Sequence, residues 1–224
     1  MTTEGSQMPA ENIANHAQTL MLDLDKLIHA RDRVGAIKLA REAITAGTFT
    51  IPQLYALVLS PLMKLTGARW HAGEEEVWEE HYTTAVVRTI IESLFDEVAA
   101  RAAEPLGKTV VLAAPADEYH DLGLRMLADR FELAGYLVHF IGAATPLEEL
   151  LGAARALKAD AVLLSASTHF HRLRVREYAD ALTAAIPGIT VWAGGPAFAH
   201  GHSTWSDAEI PDIALLLGDL EAEA

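Results

Sequence analysis

Short, continuous apolar runs alternate with helical segments through the second half of the chain, and this alternation limits the fold more than any other feature. The runs cover residues 109–113, 137–141, 161–164, 189–193 and 213–217. Strands that are apolar along their whole length are typical of a parallel sheet with helices on both faces. The pattern therefore predicts an α/β domain with a five-stranded parallel sheet in a flavodoxin-like (Rossmann-like) order. Such a sheet binds its ligand beyond the carboxyl ends of the strands.

The first half of the chain has helical periodicity and short connections. We expect helices over residues 13–30 and 33–46, a third that follows a cap at Thr50 and has Pro52 inside its first turn, and a fourth over residues 74–103. Thr50-Ile51-Pro52-Gln53 has the capping-box pattern, and Pro61 is expected to kink the third helix. Four helices with short connections predict a four-helix bundle. The sequence thus assigns residues 1–103 to a helical bundle and residues 104–224 to the α/β domain.

Charge and composition exclude several classes of protein. The chain has 17 basic and 31 acidic side chains, a formal net charge of −14, and no cysteine. This charge repels phosphate backbones, so we expect no direct binding to nucleic acid. The missing cysteines exclude disulfides and thiol catalysis. There is no apolar run of membrane-spanning length and no secretion signal at the first residues, so we expect a cytoplasmic protein that does not bind membranes.

The loop after the first predicted strand carries the most informative residues, Glu118, His120 and Gly123. This loop lies where a doubly wound sheet places its ligand. His120 can ligate a metal that arrives in its own ring, and Glu118 can accept a hydrogen bond from the other imidazole nitrogen. Gly123 would let a ligand approach the backbone closely. A solvated loop with a chance histidine explains the same residues, and the loop alone leaves this alternative open.

A second group of residues lies in the helical half, where Trp70 is followed after nine residues by Glu80 and His81. Gly73 makes one continuous helix between them doubtful. We therefore expect Trp70 to end one helix and His81 to lie inside the next, both directed at a common pocket. A core tryptophan and an interfacial histidine are the alternative. Trp78 is off this spacing and is expected to be a packing residue.

Three motifs resemble those of cobalamin-binding domains and occur in the same order as in that family. They are Glu118-x-His120-x-x-Gly123, Ser165-Ala166-Ser167 and Gly194-Gly195. The resemblance implies cobalamin as the cofactor, with His120 as the lower cobalt ligand in place of the dimethylbenzimidazole base. It also implies that the serines bond the buried base and that the glycines leave room for the nucleotide tail. The chain departs from the family at Glu118, where aspartate is usual, and at Ser167, where an apolar residue is usual.

The Trp70-x9-Glu80-His81 spacing resembles the signature of cobalamin photoreceptors, which include CarH-type regulators and AerR-type antirepressors. The resemblance covers residues 13–217, nearly the whole chain. It implies that the bundle is an upper cap on the cobalamin and that Trp70 and Glu80 line the pocket above the corrin. His81 is then the upper cobalt ligand after light has broken the cobalt–carbon bond. The upper group itself is left open between adenosylcobalamin, methylcobalamin and hydroxocobalamin.

The resemblance implies a regulator and not an enzyme. CarH-type proteins carry a DNA-binding domain ahead of the bundle, whereas here the bundle is expected to begin near residue 13. Together with the charge of −14, this favours action through a protein partner that is a DNA-binding transcriptional regulator, as for AerR-type antirepressors. Whether the protein forms homo-oligomers is left open. The alternative is a corrinoid methyl-carrier protein of a methyltransferase system. A mutase binding domain fits less well, because the chain contains no barrel-sized partner.

Two further histidine pairs, His169-x-His171 and His200-x-His202, follow predicted strands. Neither pair has cysteines or paired carboxylates nearby that would complete a metal site. We expect all four histidines to be solvated loop residues at the rim of the cofactor site.

Overall fold

The chain divides into two compact units, Met1–Glu97 and Val98–Ala224. The computed structural model describes residues 10–198 of them. The first unit is helical and the second is α/β, which confirms the predicted fold class. The predicted domain assignment, with residues 1–103 as a cap on a cofactor, stays a prediction. No helix among residues 10–198 is long and apolar enough to cross a membrane.

Four helical segments pack together in the first unit. They are α1 (Ala10–His29), α2 (Arg33–Thr45), a third segment made of α3 (Ile51–Leu54), a π-helical turn (Tyr55–Leu59) and α4 (Ser60–Ala72), and α5 (Val77–Glu92). The contacts join α1 to α2 and α4, and α5 to α2 and α4. Apolar side chains at helical spacing on α1 enter this core and are at most 8% exposed: Ala17, Leu20, Leu24 and Ile28.

The third helical segment begins and changes its geometry where the sequence predicts. Thr50 accepts a hydrogen bond from the backbone N–H of Gln53, and the Gln53 side chain accepts one from the Thr50 N–H, so the capping box is confirmed. Ser60 N–H donates to Tyr55 O, five residues earlier, as in a π-helix. Pro61 follows directly. Because proline lacks an N–H and clashes with the carbonyl four residues before it, a widened turn ahead of Pro61 accommodates the ring.

The long fourth helix expected over residues 74–103 is wrong in its second half. The helix α5 ends at Glu92, and a short helix, α6 (Phe95–Arg101), follows it. Ser93 caps α5, and its hydroxyl donates to Ile90 O at 2.7 Å. The Arg41 guanidinium on α2 donates to Ser93 O. A contact from another helix therefore stabilises the break, and no glycine or proline marks it in the sequence.

Within residues 98–198 of the second unit, four parallel strands form a sheet in the order β2-β1-β3-β4. The chain alternates β1 (Thr109–Pro115), α7 (Leu122–Leu133), β2 (Leu137–Thr145), α8 (Leu147–Ala156), β3 (Ala161–Ser165), α9 (His169–Ala185) and β4 (Thr190–Gly194). This is the predicted flavodoxin-like order. The fifth predicted strand, residues 213–217, lies outside the described residues.

Each face of the sheet is covered by helices. Alternate residues of β1 and β3 point to opposite faces, as the period of a strand requires. Val110, Leu112 and Leu163 face α7 and its buried Phe131. The other face packs on α8 and α9 through the remaining strand residues, which include Val111, Ala113, Val162 and Leu164.

Two helices of the α/β unit begin after different capping residues. The helix α8 begins at Leu147 with Pro146 at the capping position, and the Thr145 hydroxyl donates to Gly142 O. The helix α9 begins at His169. Thr168 caps it, because its hydroxyl accepts a hydrogen bond from the backbone N–H of His171.

Candidate functional site

A buried carboxylate, Glu118, is the centre of the candidate site at the carboxyl ends of β1 and β3. The residue is 0% exposed. Its Oε1 accepts hydrogen bonds from the backbone N–H of His120 at 2.9 Å and from His120 Nδ1 at 2.7 Å. Its Oε2 accepts hydrogen bonds from the Ser167 backbone N–H and hydroxyl, both at 2.7 Å. The sequence predicted the Glu118–His120 bond, and the structure contains it.

Hydrogen bonding keeps Glu118 ionised despite its burial. Burial alone raises the pKa of a carboxyl group, because water no longer solvates the charged form. The donors of Ser167 and His120 stabilise the charged form more strongly, and they lower the pKa of Glu118 from 4.5 to about 2. At neutral pH the site therefore holds one negative charge beneath His120.

His120 presents one free ring nitrogen to the outside. Its side chain is 77% exposed. Because Glu118 is ionised and can only accept, the proton of this contact lies on His120 Nδ1, which in the neutral imidazole leaves the lone pair of Nε2 free. A neutral imidazole with a carboxylate on its second nitrogen is the arrangement that metal-ligating histidines use. His120 is therefore prepared to bind a metal.

The backbone around Glu118 is held by contacts from the end of β2 and from α9. Glu118 O accepts a hydrogen bond from Ala144 N at 2.9 Å, so the end of β2 supports the loop. Arg174 on α9 donates to Ala116 O at 3.0 Å and contacts the Asp117 carboxylate at 2.5 Å. Asp117 has a φ of 68°, a conformation that is rare for residues other than glycine and that these contacts hold in place.

The small residues predicted around the nucleotide tail have two different roles in the structure. An added Cβ at Gly195 would lie 2.5 Å from Ala166 O, and its φ is 104°, so the backbone needs glycine here. Gly194 ends β4 and its carbonyl accepts a hydrogen bond from Ala166 N at 2.9 Å. Gly123, in the first turn of α7, has no atom within 4 Å of an added Cβ. Open space therefore lies beside the backbone at Gly123, as a closely approaching ligand needs.

The two serines of the third motif also differ. Ser167 uses its hydroxyl to donate to Glu118, and the same oxygen lies 3.1 Å from His120 Nδ1. It therefore belongs to the network that orients His120. Ser165 ends β3, and its hydroxyl lies 2.9 Å from the position of an added Cβ on Gly195. A contact between the serines and a nucleotide tail stays a prediction.

His171 is a site residue that the sequence reasoning missed. Its Nδ1 lies 2.7 Å from Glu118 Oε2, and its side chain is only 14% exposed. The expectation of a solvated loop residue is therefore wrong for His171. His169 is exposed, as expected, but it lies in the first turn of α9 and not in a loop. His200 and His202 lie outside the described residues.

The second predicted group lies on the surface of the helical unit. Trp70 is in the last turn of α4, which ends with the left-handed Gly73, and His81 is inside α5. This agrees with the predicted break between them. Trp70 is 42% exposed and the His81 side chain is 74% exposed. The alternative of a core tryptophan is therefore excluded, whereas a shared pocket stays a prediction.

The neighbours of these residues are polar. Glu80 accepts a hydrogen bond from the Thr84 hydroxyl at 2.8 Å, and its other oxygen lies 3.6 Å from His81 Nε2. Trp78 is 56% exposed. The Arg31 guanidinium stacks over its ring at 4.7 Å. Trp78 is therefore a surface residue with a cation–π contact, and not the packing residue that the sequence predicted.

The residues of the α/β unit fit a cobalt ion that arrives in its own ring. His120 offers an oriented, exposed imidazole, and Gly123 has open space on its side-chain position. Family models of the B12 binding domain match residues 108–217 and residues 23–94. The chain belongs to the B12-binding family. Its cofactor is cobalamin, as the motifs around Glu118 and His120 predicted.

Among curated proteins, the relatives include regulators and a mutase subunit. The HTH-type transcriptional repressor CarH of Myxococcus xanthus is 32% identical over 192 residues, 84% of this chain and 60% of CarH. The repressor CarA of the same organism is 33% identical over 66% of this chain and 49% of CarA. The glutamate mutase sigma subunit of Clostridium tetani is 32% identical over 46% of this chain and 74% of that subunit. The chain thus spans about half to three fifths of the repressors.

Among solved structures, the monomethylamine corrinoid protein of Methanosarcina barkeri is similar with a TM-score of 0.72 and 21% identity. The match covers 92% of this chain and 99% of that protein. At this identity the likeness concerns the fold. A helical region followed by a parallel α/β domain is therefore an arrangement that a corrinoid protein also has.

Proposed function

We propose that this protein is a light-responsive cobalamin-binding regulator that acts through a protein partner. One observation carries the proposal: at its predicted ligand motif, each unit has an exposed imidazole beside a carboxylate. His120 pairs with Glu118 in the α/β unit, and His81 lies beside Glu80 in the helical unit. Bound cobalamin supplies a weak cobalt–carbon bond that absorbs visible light.

The two imidazoles differ in how firmly they are held. Glu118 accepts two hydrogen bonds from His120, so its free Nε2 is oriented before any ligand binds. His81 has only a 3.6 Å contact with Glu80. A residue held this loosely can change its contacts at small cost. We therefore assign permanent lower ligation to His120 and light-dependent upper ligation to His81.

Trp70 has the properties required of a group that covers the upper side of a large planar ring. Its indole is 42% exposed and lies against His71, with 4.6 Å between the ring centroids. Large aromatic surfaces that remain exposed in a free protein are often ligand or partner contacts. We propose that Trp70 and Glu80 line the upper pocket, and that residues 1–103 act as the cap.

The partner is best sought among basic proteins. The formal charge of −14 opposes contact with DNA and attracts a positively charged surface. The curated relatives CarH and CarA are transcriptional repressors. We therefore propose that the protein is not an enzyme, and that it regulates transcription by binding a DNA-binding repressor in the cytoplasm.

The first experiment is an absorption spectrum of the protein with adenosylcobalamin in the dark and after green light. We expect dark binding, and after illumination a stable spectrum of cobalt with two histidine ligands. His120→Ala should lose the lower-ligand signature in both states, and His81→Ala should change only the illuminated state. His16→Ala, which removes an exposed imidazole of α1, is the matched control.

Two outcomes would contradict the proposal. If the illuminated spectrum of His81→Ala matches that of the unchanged protein, light-dependent ligation by His81 is wrong. Dark binding followed by ordinary photolysis, with the same product as free cobalamin, would favour the corrinoid methyl-carrier alternative.

A further inference from the structure

The proposed ligation by His120 does not explain why a second histidine contacts the same carboxylate. His171 Nδ1 lies 2.7 Å from Glu118 Oε2, on the side opposite the Oε1 that bonds His120. The same Nδ1 lies 3.0 Å from the Thr168 hydroxyl oxygen, within hydrogen-bond distance. His171 therefore contacts Glu118 at close range, while Thr168 is the hydrogen-bond partner of its Nδ1. Glu118 thus lies between two imidazoles, one on each oxygen.

The position of His171 is fixed by the helix that carries it. His171 is in the first turn of α9, where Thr168 accepts a hydrogen bond from its backbone N–H at 3.3 Å. Its side chain is only 14% exposed, whereas that of His120 is 77% exposed. The imidazole of His171 is therefore turned inward to Glu118, and it does not compete with His120 for an external ligand.

One face of α9 contacts the whole loop that precedes His120. His171, Arg174 and Tyr178 are spaced by three and four residues, so they lie on the same side of the helix. Arg174 binds Ala116 O at 3.0 Å, and the Tyr178 hydroxyl accepts a hydrogen bond from Ala116 N at 3.2 Å. The same hydroxyl donates to Thr145 O at 3.0 Å.

We propose that His171 is a positioning residue for the lower axial ligand. Through its close contact with Oε2, beside the two hydrogen bonds from Ser167, it holds the plane of the Glu118 carboxylate so that Oε1 faces His120 Nδ1 and His120 Nε2 points outward. The inference rests on the proposed ligation by His120. Neither the motif Glu118-x-His120-x-x-Gly123 nor the serine that follows β3 includes this residue, which is supplied by the first turn of α9.

Three variants of the full chain separate this role from a merely structural one. His171→Leu removes the polar nitrogen that contacts Glu118 Oε2, whereas His171→Gln keeps a polar group of similar reach. His169→Leu is the matched control, because His169 is an exposed imidazole in the same turn of α9. Thermal unfolding of the cofactor-free proteins establishes that each variant is folded before any ligand is added.

The probe is adenosylcobinamide, which lacks the nucleotide tail, so that any lower nitrogen ligand must come from the protein. We measure its dissociation constant in the dark. We then measure the electron paramagnetic resonance spectrum of the cobalt(II) form after anaerobic photolysis, where one axial nitrogen splits each cobalt line into three. Loss of a group that orients a metal-ligating histidine typically weakens binding about 10- to 100-fold.

We expect His171→Leu to bind about 10-fold more weakly and to lose part of the nitrogen splitting, and His171→Gln to recover most of both. His169→Leu should match the unchanged protein. If His171→Leu keeps both the affinity and the full splitting, the positioning role is refuted while ligation by His120 stands. If the unchanged protein shows no nitrogen splitting, ligation by His120 itself is refuted, and the role of His171 with it.

Discussion

Replacing Glu118 by glutamine tests how much the buried carboxylate stabilises the α/β unit. Glu118→Gln keeps the size of the side chain but removes its charge. One of the two carboxylate oxygens is replaced by an NH₂ group, which then faces the hydrogen-bond donors of either His120 or Ser167. In the native protein these donors bind carboxylate oxygens at 2.7–2.9 Å. The variant therefore loses charge-assisted hydrogen bonds at a buried position.

The size of the effect follows from the pKa of Glu118. The pKa is about 2 in the folded protein and 4.5 for the unperturbed group. A difference of about 2.5 units corresponds to about 3 kcal/mol of unfolding free energy at neutral pH. Because the folded pKa is the lower one, this contribution is complete above about pH 5 and decreases as the pH falls towards 2. More than half of it should be lost by about pH 3.

Urea denaturation of the cofactor-free protein measures this contribution. At pH 7 we expect Glu118→Gln to unfold with about 3 kcal/mol less free energy than the unchanged protein, and the difference should become smaller between pH 5 and pH 3. The control is Glu177→Gln, an exposed residue of α9 that carries the same charge. A loss below 1 kcal/mol at pH 7, or a loss that does not depend on pH, would refute the reasoning about the Glu118 network.

Two substitutions test other parts of the fold by thermal unfolding. Gly195→Ala places a Cβ 2.5 Å from Ala166 O at a residue whose φ is 104°. We expect this substitution to destabilise the protein by about 2 kcal/mol. The control, Gly67→Ala on α4, has open space for the added Cβ and should not destabilise the protein. Arg69→Leu removes a guanidinium that lies 2.7 Å from Asp25 and 3.2 Å from Glu75, two carboxylates that are at most 13% exposed. We expect a loss of about 2 kcal/mol, because the two largely buried carboxylates lose their guanidinium partner and keep only contacts with His29. Lys38→Leu on the exposed surface should change little, and equal effects of the two substitutions would contradict this account.

The strands and the lower-ligand motif could be predicted because their signals are local. Each apolar run in residues 109–193 became a strand within a few residues of the expected ends. The spacing of Glu118 and His120 is short enough that the loop conformation alone brings the two side chains together. The predicted hydrogen bond between them follows from chemistry that needs no knowledge of the rest of the fold.

The features that sequence reasoning missed depend on contacts between distant segments. His171 approaches Glu118 only because β1 and β3 are neighbours in the sheet. In the chain, 52 residues lie between the two. A local signal did exist, since Thr168 is a favoured N-cap residue and marks the start of α9. The end of α5 at Glu92 had no such signal, because Arg41 from α2 provides the contact at Ser93.

The π-helical turn before Pro61 determines the direction in which Trp70 points. A π turn includes one residue more than the α-helical turn that it replaces, and each residue of an α-helix advances by about 100°. Every side chain of α4 is therefore rotated by about 100° around the helix axis relative to a continuous α-helix from Ile51. Without this turn, the position of Trp70 would occupy a different side of α4. The azimuth of the tryptophan is thus set by backbone geometry more than two helical turns before it, at residues that need not touch any ligand.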